Sequence, residues 1–187
     1  MRFVGIDPST KTGFVALDEK LNVLVQKELT GIGDKDPKRM ATMIDDVMRH
    51  MQPDDVVVIE GFGYSTTQGI QLGGIGWGIR MALLRRRINY IEVAPSAVKK
   101  FATGKGNATK NDMIQPLFDL WGYSNKSDNI RDAFVMAHIA RSIHLFKNAS
   151  ELEMNMILHP YQTEVLVNIL QPKQKPKKKR KKKQVAK

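Results

Sequence analysis

The stretch Met1-Arg-Phe-Val-Gly-Ile-Asp7-Pro-Ser-Thr-Lys-Thr-Gly-Phe-Val-Ala-Leu17 opens the chain and predicts the start of a β-sheet. An apolar run in this stretch ends in a carboxylate, Asp7, before a turn and a second apolar strand. An unpaired carboxylate is expensive to bury, so Asp7 either shapes the turn or binds a metal ion. A second apolar run, residues 56–59, ends in the same way at Glu60. Two buried strands that each end in a carboxylate predict one acidic site at one edge of a sheet.

The order of the predicted elements indicates an α/β fold. Three short strands joined by turns, at residues 2–7, 13–18 and 22–29, form an antiparallel meander. Two more strands are predicted at residues 56–60 and 89–94. Helices are predicted at about residues 37–51, 68–87, 95–101, 110–121 and 129–146, with a short one near 161–170. A meander followed by alternating helices and strands favours right-handed crossovers onto a sheet.

The predicted helix 68–87 is unusually rich in glycine. Its glycines are Gly69, Gly73, Gly74, Gly76 and Gly78. Each interior glycine costs about 1 kcal/mol relative to alanine, which indicates close approach of another backbone or of DNA. The alternative is a loop as far as Gly76, with the helix starting later.

Composition excludes several kinds of site. The chain has 187 residues and no cysteine, which excludes disulfides and thiolate metal sites. No apolar run approaches the roughly 18 residues that a membrane span needs, so we expect no membrane partner. Ten of the 30 Lys and Arg residues lie in residues 173–187, whereas all 19 acidic residues lie before them. The net charge of +11 therefore belongs almost wholly to the C-terminal tail.

The start of the last long helix adds two carboxylates, Asp128 and Asp132, which are four residues apart and share one helix face. If the first and fourth strands are neighbours, Asp7 and Glu60 also lie together. Each residue has an ordinary alternative: Asp7 could shape its turn, Glu60 could cap the next loop, Asp128 could cap the helix, and Asp132 could face solvent. Their convergence on one sheet edge favours a shared site.

A set of carboxylates without cysteine or histidine suits Mg²⁺ or Mn²⁺ better than Zn²⁺. A pair of such ions held by three or four carboxylates is an arrangement used for in-line displacement at phosphorus. We therefore predict two Mg²⁺ ions per site, for which Mn²⁺ can substitute, and no small-molecule cofactor.

Three motifs, in this order, resemble the acidic motifs of RuvC-type Holliday junction resolvases of the ribonuclease H-like superfamily. They are Gly5-Ile-Asp7-Pro-Ser-Thr-Lys-Thr-Gly13, Val58-Ile-Glu60 and Asp128-Asn-Ile-Arg-Asp132-Ala-Phe-Val-Met-Ala137. The resemblance covers roughly residues 1–147, and a phage-encoded member of the family is one interpretation of it. It implies an α/β, ribonuclease H-like three-layer α/β/α fold whose mixed five-stranded sheet combines the antiparallel meander with two parallel strands.

The resemblance also implies a homodimeric, Mg²⁺-dependent endonuclease that cuts two opposed strands of a four-way DNA junction, leaving 5′-phosphate and 3′-hydroxyl ends. By motif position, Asp7, Glu60 and Asp132 would be metal ligands. The family's remaining acid lies three residues before the last one, where this chain has Asn129, and Asp128 lies one residue earlier. We favour Asp128 as the fourth ligand, and the alternative is that Asn129 binds through its side-chain carbonyl.

Basic residues supply the first group of predicted DNA contacts. The family's lysine near the scissile phosphate corresponds to Lys110, which we count among the catalytic residues, and Lys99 corresponds to a second basic position. Both could stabilise phosphate charge, and ordinary exposed lysines are the alternative. Lys105, in the loop 103–109, and Arg80 are further predicted contacts.

Aromatic residues supply the second group. The family's aromatic that enters the junction centre follows the glutamate by three positions, where this chain has Gly63 between Phe62 and Tyr64. Either aromatic could stack on an opened base. The change predicts a broader preference that includes replication forks, flaps and three-way branches.

We predict a RuvC-like nuclease domain at residues 1–150, an appended helical segment at 151–172 and a disordered basic tail at 173–187. The tail would bind phosphates with release of counterions, and the alternative for it is nuclear import. We expect a cytoplasmic protein of a bacterial or phage-infected cell. Two other functions compete: a non-catalytic branched-DNA-binding protein on the same fold, and an actin-fold phosphotransferase, for whose second domain this length leaves no room.

Overall fold

The structure, a computed structural model, describes residues 1–63 and 69–172, where five strands form one sheet. They are β1 (Arg2–Asp7), β2 (Thr12–Leu17), β3 (Val23–Leu29), β4 (Asp55–Glu60) and β5 (Tyr90–Val93). In the order β3-β2-β1-β4-β5, β2 pairs antiparallel with β1 and β3, and β4 pairs parallel with β1 and β5. The predicted mixed sheet, a meander joined to two parallel strands, is confirmed.

Helices in the described residues follow the predicted order with shifted ends. They are α1 (Lys38–His50), α2 (Gly69–Arg85), α3 (Pro95–Thr103), α4 (Ile114–Trp121), α5 (Asp128–Phe146), α6 (Glu151–Asn155) and α7 (Pro160–Leu170). α4 begins at Ile114 and not near Lys110, because a turn precedes it. In this turn the main-chain N–H of Thr109 donates to the Asp112 carboxylate, and the main-chain N–H of Asp112 donates to the Thr109 hydroxyl. α6 was not predicted, although Ser150 and Glu153 form the capping box that marks its start.

Both faces of the sheet are covered, which confirms the predicted three layers. Side chains alternate along β1, so Phe3 points to one face and Val4 to the other. Phe3 packs in an apolar cluster with α3, α4, α5 and α7, whereas Val4 packs in a second cluster with α1 and α2. None of the helices in the described parts of the chain is both long and apolar enough to cross a membrane.

The glycine-rich helix α2 begins at Gly69, before the position that the loop alternative required. Three of its glycines, Gly74, Gly76 and Gly78, make room for protein side chains. The sequence had suggested another backbone or DNA at these positions, but among the described residues the atoms nearest to an added Cβ there all belong to side chains. A Cβ added to Gly76 would lie 2.6 Å from the ring of Phe62, and one added to Gly78 would lie 2.3 Å from the end of Ile44. These positions therefore let α2 pack against α1 and against the loop after β4.

Candidate active site

The ends of β1 and β4 place two carboxyl groups side by side. The strands run parallel with Ile6 opposite Ile59, so Asp7 and Glu60 follow at the same edge of the sheet. Alternation puts Asp7 on the face of Phe3, and Glu60 on the face of Val58, which packs in the same cluster as Phe3. Both side chains therefore face the layer that contains α5, and their carboxyl groups are close enough for each to change the pKa of the other.

The close approach of α5 brings in the third carboxyl group. α5 packs across β1, β2 and β4, and a Cβ on Gly5 would lie only 1.9 Å from the main-chain oxygen of Ala133. Glycine at position 5 is what allows this contact, since any side chain would push the helix away. The residue before Ala133 is Asp132, whose charge raises the pKa of both Asp7 and Glu60. Three of the four predicted acids are thus gathered at one place.

Burial and mutual repulsion set the electrostatics of this group. Asp7 is only 6% exposed, and burial, followed by the charges of Glu60 and Asp132, raises its pKa well above its usual range. Burial, followed by the charge of Asp132, raises the pKa of Glu60 to about 7. Burial also raises the pKa of Asp132 to about 6, against the lowering effect of Lys110. Carboxyl groups that resist ionisation in this way would be stabilised by a cation.

The donor atoms fit a hard divalent cation, because they are all carboxyl oxygens. Across residues 1–63 and 69–172, however, no three Asp, Glu, His or Cys side chains are already arranged as a cation-binding group. The three carboxyl groups interact electrostatically without closing around a common point. These residues therefore fit Mg²⁺ in the type of their donor atoms and in their closeness to one another, and not in a pre-arranged coordination geometry.

A cleft of about 300 Å³ opens over the carboxyl groups. Asp7, Glu60 and Asp132 line it together with Lys99 and Lys110. The positive charges of both lysines lower the pKa of Glu60 and of Asp132, which places them within electrostatic reach of the acids. Two cations beside three carboxyl groups form a surface that can accept a phosphate.

Asn129, and not Asp128, lines this cleft. Asp128 is the first residue of α5, and its carboxylate accepts a hydrogen bond from Nζ of Lys110. Ser127 caps the helix, accepting from the main-chain N–H of Ile130 at 3.3 Å, so the alternative that made Asp128 the cap also fails. The preference for Asp128 as the fourth ligand is not supported, and Asn129 is the better placed of the two.

Arg80 was predicted as a DNA contact, but it is 2% exposed and occupied by partners inside the protein. Its guanidinium donates to the main-chain oxygen of Glu60 at 2.8 Å, to that of Gly76 at 3.0 Å, and to the carboxylate of Glu92 at 2.6 Å. It also lies 4.2 Å from the ring centre of Phe62. Arg80 lines the cleft, but its hydrogen bonds hold the end of β4 in place, so the structure does not favour the predicted DNA contact.

The remaining predicted DNA contacts have different surroundings. Phe62 lines the cleft and packs against Trp77 with ring centres 5.4 Å apart. Lys105 is exposed and does not line the cleft. Tyr64 lies outside the described residues. The roles of these residues stay predictions.

Arg131 is a residue that the sequence reasoning missed. It is buried next to Asp132, and its guanidinium donates to the main-chain oxygens of Asn125, Lys126 and Lys110 at 2.8, 3.1 and 3.4 Å. It thereby ties the segment that carries Lys110 to the start of α5. One arginine within a helix creates no recurring pattern in the sequence that would predict its burial. The available signal was its position next to Asp132, a predicted metal ligand.

Known proteins resemble this chain over most of its length. The profile of a family described as crossover junction endodeoxyribonuclease RuvC matches residues 3–140. The curated protein of that name from Prochlorococcus marinus (strain MIT 9301) is 26% identical over 148 residues, which cover 73% of this chain and 94% of the relative. The one from Campylobacter lari (strain RM2100) is 28% identical over 147 residues, covering 73% and 93%.

Solved structures agree on the fold. Thermus thermophilus RuvC in complex with a Holliday junction substrate has a TM-score of 0.58 at 19% identity, covering 73% of this chain and 90% of that one. A second structure of Thermus thermophilus RuvC has a TM-score of 0.58 at 17% identity, covering 80% and 98%. At such identities the likeness concerns the fold alone.

Proposed function

The chain belongs to the RuvC family of crossover junction endodeoxyribonucleases, and from that premise we propose that its acidic cleft hydrolyses phosphodiester bonds in Holliday junctions. The observation that carries the proposal is the meeting of Asp7, Glu60 and Asp132, from β1, β4 and α5, beneath a cleft with two lysines at its wall. We propose that paired cuts on opposed strands leave 5′-phosphate and 3′-hydroxyl ends. The cytoplasm of a bacterial or phage-infected cell is the proposed location, since the curated relatives named above are bacterial.

The three carboxyl groups are the proposed ligands of divalent ions, two Mg²⁺ per site, with Asn129 as an oxygen donor beside them. The chemistry that such ions supply when bound is activation of the attacking water and stabilisation of the leaving oxygen. A bound cation would offset both the burial and the carboxyl repulsion that raise the pKa of Asp7 and Glu60. These raised pKa values support the proposal that the chain requires a cation.

Lys110 and Lys99 are proposed to stabilise charge on the scissile phosphate. The Lys110 ammonium is held by the Asp128 carboxylate, while Arg131 holds the Lys110 main chain. An ammonium oriented in this way loses little freedom when a phosphate arrives, which favours electrostatic stabilisation of the transition state. Asp128 would then act by orienting Lys110.

The substrate range is proposed to extend to forks, flaps and three-way branches. Gly63 stands at the position where the family has its wedging aromatic, and a Cβ there would meet no atom of the described residues within 4 Å. Phe62 is engaged with Trp77 and Arg80, so it is less free to enter a junction than an unpacked aromatic. An enzyme whose aromatic separates base pairs less effectively is suited to branched DNA in which the bases at the branch point are already unpaired.

A second copy of the chain is the proposed partner at α2. Ile70, Trp77, Met81 and Leu84 recur at helical spacing and are all exposed. Such an apolar stripe on one helix face fits an isologous dimer, which would supply the two active sites that paired cuts need. Light scattering should give twice the mass of the 21.1 kDa chain, and Trp77→Glu with Leu84→Glu should halve it. Dimers that survive both changes would place the interface elsewhere.

Cleavage of a synthetic four-way junction in Mg²⁺, beside fork and linear duplex controls, tests the proposal. Asp7→Asn and Glu60→Gln should abolish cutting and preserve junction binding, whereas Asp45→Asn, an exposed acid of α1, should change neither. Wild-type cutting by either site variant would refute the assignment. Junction binding by the wild-type protein without any Mg²⁺-dependent cutting would favour the non-catalytic alternative.

A further inference from the structure

Helix α7 covers the outer side of α3, the helix that carries Lys99. The family match ends at residue 140, so α6 and α7 both lie beyond it. α7 nevertheless packs against α3 and α5, and its Val165 and Leu166 are buried in the same apolar cluster as Val98 and Phe101. This chain therefore supports one wall of its cleft with a segment outside the matched region.

Gln162 makes the most specific contact between the two helices. Its side chain is 4% exposed, and its Nε2 donates to the main-chain oxygen of Phe101 at 3.1 Å. That oxygen belongs to the last turn of α3, where main-chain carbonyls have no partner within the helix. The Oε1 of Gln162 accepts from the main-chain N–H of His159 at 3.1 Å. The amide is thus held at both ends, and it joins the start of α7 to the end of α3.

An ion pair adds a second connection. Nζ of Lys100 lies 2.6 Å from Oε1 of Glu164, on the turn of α7 that follows Gln162. Neighbouring residues of a helix point about 100° apart, so Lys100 can face α7 while Lys99 faces the cleft. Lys99 lines that cleft with Asp7, Glu60 and Asp132. The orientation of α3 about its own axis therefore decides where the Lys99 ammonium lies.

We infer that α7 is a positioning element for the active site and that Gln162 is its main positioning residue, because it fixes the end of α3 and with it the direction of Lys99. The inference rests on the proposed function through the role given there to Lys99. Gln162 is not among the described residues that line the cleft, so its effect on the site would pass through its bond to α3. An ammonium displaced by about 1 Å from its best position can cost up to about a hundredfold in rate, so the effect is measurable.

A double-mutant cycle in the full-length protein tests the inference. Lys99→Met removes the ammonium, and Gln162→Met keeps the size of the side chain while it removes both hydrogen bonds. The readouts are the single-turnover cleavage rate on a four-way junction in Mg²⁺ and the Kd for the same junction. Gln115→Met is the matched control, since Gln115 is exposed on α4 and its side-chain amide donates to Asp119, on the same helix, at 2.8 Å.

We expect Gln162→Met to slow cleavage about tenfold with a Kd within about twofold of the wild type. In the Lys99→Met background the same change should add no further loss, because its effect passes through the missing ammonium. Equal losses in both backgrounds would indicate general loosening and overturn the inference. A wild-type rate for Gln162→Met beside a slow Lys99→Met would also overturn it, and the proposed function would stand.

A wild-type rate for Lys99→Met would instead refute the role that the proposed function gives Lys99, and the inference would fall with it. If circular dichroism shows that Gln162→Met does not fold, Glu164→Lys takes its place in the cycle. That change sets two cations against each other on the surface between α3 and α7. It should slow cleavage about two- to threefold, with no further loss in the Lys99→Met background.

Discussion

Replacing Glu60 by glutamine should stabilise the metal-free protein at pH 8 and at the same time remove its cleavage activity. The variant keeps the size of the side chain and loses only its ability to ionise. In the folded chain, burial and the charge of Asp132 raise the pKa of Glu60 from 4.5 to about 7. The folded protein therefore holds this proton more tightly than the unfolded chain does.

The sign and size of the effect follow from that difference in pKa. The carboxyl group contributes its full stability below pH 4.5, and this contribution is lost as the pH rises to about 7. The two pKa values differ by an amount that corresponds to about 3 kcal/mol at pH 8. Asp7 and Asp132 share the same charge cluster and can carry part of the cost, so we expect Glu60→Gln to gain about 1–3 kcal/mol at pH 8. Near pH 4.5 the gain should be small.

Urea unfolding in EDTA, followed by circular dichroism at pH 4.5 and pH 8, measures this change. Asp45→Asn is the control, because it removes an exposed carboxylate from α1 and should show no pH-dependent gain. Added Mg²⁺ should stabilise the wild-type protein at pH 8 more than the variant, since a cation that binds the folded state shifts unfolding by mass action. A variant less stable than the wild type at pH 8, or one with the same difference at both pH values, would refute the reasoning.

Other parts of the chain give further expectations. Gly5→Ala should cost several kcal/mol or prevent folding in thermal melts, because its Cβ would lie 1.9 Å from a main-chain oxygen of α5. Gly73→Ala, whose Cβ meets no atom of the described residues within 4 Å, should gain up to about 1 kcal/mol, and equal effects of the two changes would contradict the packing account. Asp55→Ala should cost about 3–5 kcal/mol in urea unfolding, because it leaves Arg2 without its buried partner at 2.7 Å, and a loss below about 1 kcal/mol would be evidence against that pair. Removal of residues 173–187 should weaken junction binding and flatten its salt dependence while sparing the cleavage rate at saturating DNA, and an unchanged Kd at low salt would exclude a DNA-binding role for these residues.

The sequence predicted those features of the site that depend on local periodicity. Apolar runs that end in an acid predicted β1 and β4, and alternation along the strands then placed Asp7 and Glu60 on one face. The spacing within α5 predicted that Asp132 belongs to the helix above them. These inferences need only the strand and helix periods and the adjacency of two parallel strands.

Features that depend on long-range partners were not predictable in this way. Arg80 looked like a surface cation at the basic end of a helix, yet it is buried because three acceptors from β4, α2 and β5 meet its guanidinium. The choice between Asp128 and Asn129 depends on the rotation of α5, and neighbouring residues of a helix point about 100° apart. That rotation follows from the contact of Gly5 with Ala133, which the sequence of α5 alone does not contain.

The two ends of the β1–β4 pair have opposite electrostatic character, and this difference connects stability with the site. At one end Arg2 lies opposite Asp55, and its guanidinium donates two hydrogen bonds to that carboxylate at 2.9 and 2.7 Å. At the other end Asp7 and Glu60 lie side by side, where burial and the charge of a neighbouring carboxyl group raise the pKa of each. A slip of one residue would turn every side chain of a strand to the opposite face, so the register of this pair decides whether the acids face α5. The ion pair between Arg2 and Asp55 opposes such a slip, because a shifted register would separate the two charges. The same register keeps the Asp7 and Glu60 carboxyl groups together at the other end of the strand pair, although they repel each other.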